Sequence, residues 1–456
     1  MTSENSPEQA EIVVIGAGLS GLCAAEGLSA RGHDVLVLEA SEQLGGRTRT
    51  QTSLGLALDC GGAYVGQHHT EVRQLADRLG IPLQRTVAEG ASLFDLAGRL
   101  HRSDGEHAPF SALAFGLALD RIEELADQVD LHSPGASPNA EMQDRITVHS
   151  WLRAEEMPAD ACLLIEQIVR EMLASDPDEV SLLHFLFYVK SGGGLPFLTA
   201  FAGGAQEFRL AGGAQGLCGR LAARLDRQVR TGSAVRRITQ TADSVQVHAD
   251  GLRVECSQLV LATGPGQERS IELDLPTAHP PVVPASKGGS AVKVHLVYRT
   301  PFWRNSGLSG WVTADRPPIR FLVDDSNGRD GLGVLVGFLT GTEAQAWSSG
   351  SVTWGDLTAR LAEWLGTDAL EPLHLQAQDW LRQPWIQGCY AAVPELGAWA
   401  GVRSNGHPGG FAGPIHRVGS EYSPYFYGHL EGAVRSAQAV AQQVARGDIA
   451  SSGVSR

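Results

Sequence analysis

The sequence is poor in cysteine, methionine and aromatic residues, and it lacks an excess of positive charge. Its six cysteines, at positions 23, 60, 162, 218, 256 and 389, are scattered and form no C-x-x-C pair. That spacing argues against a zinc site and against a disulfide scaffold. No two histidines stand at H-x-x-x-H spacing, and His68-His69 reads as a polar loop, so no metal is expected. Acidic residues outnumber basic ones 51 to 36, which gives a net charge of −15. A nucleic-acid partner or an anionic membrane surface is therefore not expected. No apolar run reaches the roughly 18 residues that a membrane helix needs. The first ten residues, MTSENSPEQA, carry neither a basic region nor an apolar segment, so no secretory leader is expected. These absences point to a soluble, cytoplasmic protein. Its oligomeric state stays open, a homodimer included.

What the chain has is glycine, 54 residues in 456, some of it in telling places. The β-branched run 12–15 reads as a buried parallel strand. Gly16, Gly18 and Gly21 follow at G-x-G-x-x-G spacing, with Ser20 between them, and Ala24, Ala25 and Leu28 continue a helical pattern. Gly16 permits the tight turn out of the strand. Gly18 leaves the backbone bare for a pyrophosphate, and Gly21 lets the helix lie close to the sheet. The helix N-terminus adds free N–H groups and a positive dipole end. A second strand at 34–38 ends at Glu39, near the roughly 20-residue offset of an acid that holds ribose hydroxyls. Downstream, Arg47 beside Gly45 and Gly46 brings a guanidinium within reach of a pyrophosphate oxygen. A dinucleotide site is predicted, in a chain whose length suits two domains.

Four segments carry a resemblance: GAGLSGL, Glu39-Ala40, Gly45-Gly46-Arg47-Thr48 and Gly61-Gly62-Ala63-Tyr64. In them the sequence resembles the flavin-containing amine oxidases, the monoamine and polyamine oxidases. The resemblance implies an α/β fold, with an FAD-binding Rossmann-like domain on a parallel sheet interleaved with a mixed α+β substrate domain. The expected bounds are 1–85, 211–290 and 384–456 for the first and 86–210 and 291–383 for the second. It implies oxidation of an amine C–N bond to an imine, with O2 reduced to hydrogen peroxide. Small-molecule amine and O2 are then the partners.

The same resemblance assigns roles. Lys293, on the S-x-x-K strand before Pro301-Phe302-Trp303, falls where the family lysine assists the reaction with O2 through a water. Tyr390 and His429 fall at the paired aromatic positions that cage the amine, and a histidine there would make the cage half polar and titratable near neutral pH. Phe197, Leu198 and Thr199 fall between an entrance cavity and the substrate cavity, and Gln206 where a glutamine touches substrate. Val235 would pair with the adenine, and Trp380 and Leu430 would border the cofactor. Cys389 stands where monoamine oxidases link FAD through a thioether, and covalent attachment is one of two readings there. GFAGP at 410–414 is taken as the final cofactor turn, with Gly413 and Pro414 in it; the acid usual after that turn in the family is missing, a departure from its pattern.

Alternatives on the same fold are an L-amino-acid oxidase, with Arg209 as the candidate carboxylate clamp, and a desaturase or other tailoring oxidase of a biosynthetic pathway. A non-catalytic FAD-holding protein is a third.

The periodicity further predicts helices over 71–80, 112–128, 146–175, 217–225 and 354–365, and strands over 235–238, 244–248, 259–264, 292–298, 321–324 and 332–339. The run 182–189 reads as core or pocket wall.

Overall fold

The protein is described from a computed structural model that covers residues 7–86, 89–104, 112–276, 283–326, 331–402 and 413–445. Strand β1 (Glu8–Ile15) runs parallel to β2 (Val35–Leu38) on one side and to Leu252–Leu261 on the other. Its inner half is buried on both faces, as an unbroken apolar run in a parallel sheet requires. Helix α1 (Leu19–Ser29) connects β1 to β2. It lies so close that a Cβ at Gly21 would sit 2.0 Å from the Gly16 carbonyl oxygen, so no side chain fits there.

These strands belong to a seven-stranded sheet in the order Glu272–Asp274, Val235–Gln240, Val245–Ala249, Leu252–Leu261, β1, β2, with Ile415–Arg417 also paired to Leu252–Leu261. Three separated stretches of chain thus meet in one sheet. On one face Ile12, Val14, Leu22 and Leu28 pack with Leu217 and with Val434 and Ala437 of the last helix, Leu430–Ala445.

A second seven-stranded sheet has the order His374–Asp379, Ala291–Tyr298, Gly333–Thr340, Phe321–Asp324, Leu308–Ala314, Ala91–Leu96, Arg99–Asp104. Val292, Val294 and Leu296 pack on one face against Leu357 and Leu361 of helix Trp354–Leu365. Lys293 and His295 therefore point to the other face, and both are buried. Helices Ala112–Asp127, Ala159–Leu173 and Leu182–Ser191 form a further apolar core. Among the described residues, no helix is long and apolar enough to cross a membrane, and no group of three or more His, Cys, Asp or Glu could hold a metal ion.

Two expectations change. The single helix over 146–175 is two helices, Val148–Ala154 and Ala159–Leu173. Glu156 has φ +52°, and Pro158 has no N–H to continue the ladder. Residues 91–104, for which the sequence predicts no element, form a hairpin, Ala91–Leu96 with Arg99–Asp104. All six residues of its first strand are buried, which erases the alternation that marks a strand. Asp95 is among them because Arg360 and the Trp364 indole donate to its carboxylate at 2.8 and 3.0 Å.

Candidate active site

A cavity of about 1470 Å³ is lined from both sheets. It exceeds the roughly 300–1,000 Å³ of an ordinary small-molecule pocket, so it has room for a large cofactor together with a substrate. One end is the glycine loop. Gly16 (φ +105°) turns the chain, and a Cβ there would meet the Ala262 carbonyl oxygen at 2.8 Å. Gly18 is the N-cap of α1, with no side-chain cap and no acid in the first turn. A Cβ at Gly18 would meet nothing within 4 Å, because the position faces the cavity. The free helix end and the bare backbone fit a pyrophosphate. Thr263, after strand Leu252–Leu261, also lines this end, and its buried Oγ1 has no partner among the described residues.

Glu39, at the end of β2, accepts from the Ala17 and Ser41 N–H groups at 2.6 and 2.8 Å. Burial raises its carboxyl, and those N–H bonds oppose the rise. Ser20, Ala40, Gly46, Gly62, Ala63, Tyr64, Val235, Trp380 and Leu430 all line the cavity with it. Gly21 does not line it; its work is the close helix packing described above. Trp380 is fixed by its indole N–H, which donates to the Cys60 carbonyl at 3.0 Å.

Arg47 lines the cavity, but its guanidinium is already engaged. It forms a bidentate pair with Glu421 at 2.5 and 2.8 Å and donates to the Tyr390 carbonyl at 2.8 Å. Burial alone would raise the Glu421 carboxyl, yet Arg47 and the Ser420 hydroxyl hold it below the usual range. This corrects the reading of 410–414. Gly413 and Pro414 are outside the cavity lining: Gly413 is exposed, and the Pro414 carbonyl accepts from Leu259 N–H at the sheet edge. Residues 410–412 lie outside the described residues. The turn that reaches the cavity follows strand Ile415–Arg417 as Gly419-Ser420-Glu421, and it carries an acid, Glu421, into the lining. Sequence reasoning missed it because GFAGP is the more glycine-rich match; the available signal was an acid eight residues before His429.

At the other end, Lys293 is 5% exposed and donates to the Gly61 carbonyl at 3.0 Å. Its Nζ lies over the rings of Tyr64 and Phe338, 5.8 and 5.3 Å from their centroids. Burial lowers its pKa, while Asp59 and Asp325 work the other way. Tyr390 meets Phe338 edge-on at 6.2 Å, and His429 meets Tyr188 at 5.6 Å. Both line the cavity. Their segments are held together at Gly428, where a Cβ would come within 2.7 Å of the Ala391 Cβ. His429 Nδ1 donates to the Tyr427 carbonyl at 2.9 Å. Burial pushes the ring's pKa down, while its bonds to the Tyr427 and Phe426 backbone work the other way.

Leu198, Thr199 and Gln206 line the cavity; Phe197 does not. Phe197 is stacked on His68 at 4.5 Å and packs against Phe426. Arg209 is also away from the lining: it is buried in an ion pair with Asp325 and is not free to clamp a carboxylate. Cys389 lines the cavity, and burial pushes its thiol up to about 12, with Arg47 pulling the other way.

Comparison with known proteins agrees with this geometry. The family model for flavin-containing amine oxidoreductases matches residues 19–445. A Mycobacterium tuberculosis protein provisionally named a flavin-containing monoamine oxidase is 32% identical over 452 residues, 97% of this chain and 98% of that one. Putrescine oxidase of Kocuria rosea is 30% identical over 97% of this chain and 96% of its own. Among solved structures, wild-type putrescine oxidase bound to putrescine superposes with a TM-score of 0.89 at 30% identity, covering 96% of this chain and 99% of that one. Cyclohexylamine oxidase from Brevibacterium oxydans gives 0.89 at 29% identity over 96% and 99%. The chain belongs to the flavin-containing amine oxidoreductases, and it is an FAD-dependent enzyme that oxidises the C–N bond of amines with O2.

Proposed function

We propose that the amine is held between Tyr390 and His429, with its carbon body against the apolar wall of Leu198, Phe321 and Phe338, and that Lys293 serves the reaction with O2. The observation that carries this is the buried Lys293, set between Tyr64 and Phe338 on the wall of the cavity that Tyr390 and His429 also line. FAD, when bound, supplies a two-electron acceptor for the amine and returns the electrons to O2. The protein's part is positioning and exclusion of water. Desolvation in this enclosed, mostly apolar chamber penalises an ammonium, so the reacting nitrogen enters uncharged. The Arg47–Glu421 pair ties the glycine loop to the Tyr390 segment and fixes the cage relative to the cofactor end.

The cofactor unit is assigned to 1–85, 211–290 and 384–456 and the substrate unit to 86–210 and 291–383. The sources of the strands in the two sheets support this division. No disulfide joins any of the six cysteines, which suits a cytoplasmic enzyme. We assign Cys389 a thioether to the 8α-methyl group of FAD, on the strength of its place in the lining. The sulfur–carbon bond would form with loss of the thiol proton and a methyl hydrogen, and O2 would receive the two electrons.

Two measurements check these assignments. Anaerobic addition of a primary amine should bleach the flavin absorbance; a panel of amines that leaves it unchanged would end the reading. Acid precipitation should carry the yellow colour into the pellet for the wild type and into the supernatant for Cys389→Ala. Colour in the wild-type supernatant would show that the flavin is not bonded to the chain.

A further inference from the structure

One side of the cavity carries a carboxyl group without a counter-ion. Helix Ala159–Leu173 presents Leu164, Gln167, Ile168 and Glu171 to the cavity, a single face at three- and four-residue spacing, and Met172 lines it too. Gln167 Nε2 donates to Glu171 Oε1 at 3.1 Å, the only hydrogen bond to that carboxyl among the described residues. Several buried acids of this chain have arginines: Arg47 for Glu421, Arg360 for Asp95, Arg320 for Glu343. Glu171 has no ion pair among the described residues. Burial pushes its carboxyl up to about 8, and only the Gln167 bond opposes the rise. Glu171 is also near enough to the cage for its charge to act on the Tyr390 phenol. In the same cavity the buried Gln206 Oε1 has no partner among the described residues. An acid set in an otherwise apolar wall is costly unless something cationic arrives to pair with it.

We propose that Glu171 is the specificity-determining residue of this site and receives a second ammonium group of the substrate, so that the enzyme prefers short aliphatic diamines to monoamines of the same length. The inference rests on the amine-oxidase reading above. The arriving cation supplies the charge that the folded chain withholds from Glu171, while the reacting amine, in the aromatic cage, stays neutral. A ligand without the distal charge leaves the carboxyl buried and alone, and is selected against.

The test compares kcat/KM for a five-carbon diamine and the five-carbon monoamine, in the holoenzyme and in Glu171→Gln and Glu171→Leu. The wild type should favour the diamine. Both variants should lower the diamine-to-monoamine ratio by about 10²-fold, chiefly through KM for the diamine, as removal of one partner of a buried charge pair does. A ratio that survives both substitutions overturns the proposal. So does a wild type that favours the monoamine, a result that requires no variant to fold. If no amine bleaches the flavin, the reading beneath the proposal fails; if amines bleach it without a diamine preference, only the role of Glu171 fails.

Discussion

Lys293→Met should slow reoxidation of the reduced enzyme by O2 by about 10²-fold, the lower end of what a positioned proton donor contributes, while leaving anaerobic reduction by amine within a small factor of wild type. Oxygen gains negative charge as it accepts electrons, and a buried cation or N–H donor stabilises that charge far better than water-exposed groups do. Lys293 is suited to this by its strand. Phe338 and Gln378 flank it in register on the neighbouring strands, and its Nζ is fixed on the Gly61 carbonyl. Methionine keeps the length and the packing but removes the donor and the charge. The check is stopped-flow absorbance of each half-reaction. Equal slowing of both would take Lys293 out of oxygen chemistry and make it a structural cation for Asp59 and Asp325, the acids that act on it.

Gly18→Leu should give a folded protein depleted of flavin, with FAD affinity reduced by up to about 10²-fold, given roughly 1–3 kcal/mol for overfilling a packed site and tenfold per 1.4 kcal/mol. The backbone at Gly18, φ −73° and ψ 177°, is open to any residue, and a Cβ there meets no protein atom within 4 Å. The fold therefore accepts the side chain, which occupies the space where the pyrophosphate approaches the helix end. Gly16→Ala is the contrasting case: its φ of +105° and the 2.8 Å approach to Ala262 make it a folding defect as well. Thermal melts of the apoproteins together with flavin content separate the two. Retention of FAD by Gly18→Leu at wild-type stoichiometry would place the pyrophosphate elsewhere.

The cofactor end of the site was legible because its signals are local. Gly16, Gly18, Gly21 and Glu39 each act through the backbone within one strand–helix–strand unit, and their spacing states the geometry. Leu198, Thr199, Gln206, Tyr390 and His429 were legible only through resemblance, since a side chain's spacing does not say which cavity it enters. Phe197 shows the limit: it is adjacent to Leu198, yet it turns into the core against His68. Glu421 shows it from the other side. Its partner Arg47 is 374 residues away, and the local pattern marks this acid only by its offset from His429, not by the guanidinium that pairs with it. Arg209 is the converse, a cation that looked available and is held by Asp325.

From its sequence alone this chain was committed to a parallel strand–helix–strand cradle with a bare glycine at the helix end, because backbone conformation and dipole direction follow from neighbouring residues. Which charges are paired and which are left open to a ligand was decided only when three remote stretches met in one sheet and a second sheet closed over the cavity. Desolvation and pairing depend on distances in space, and those distances do not exist until the chain is folded.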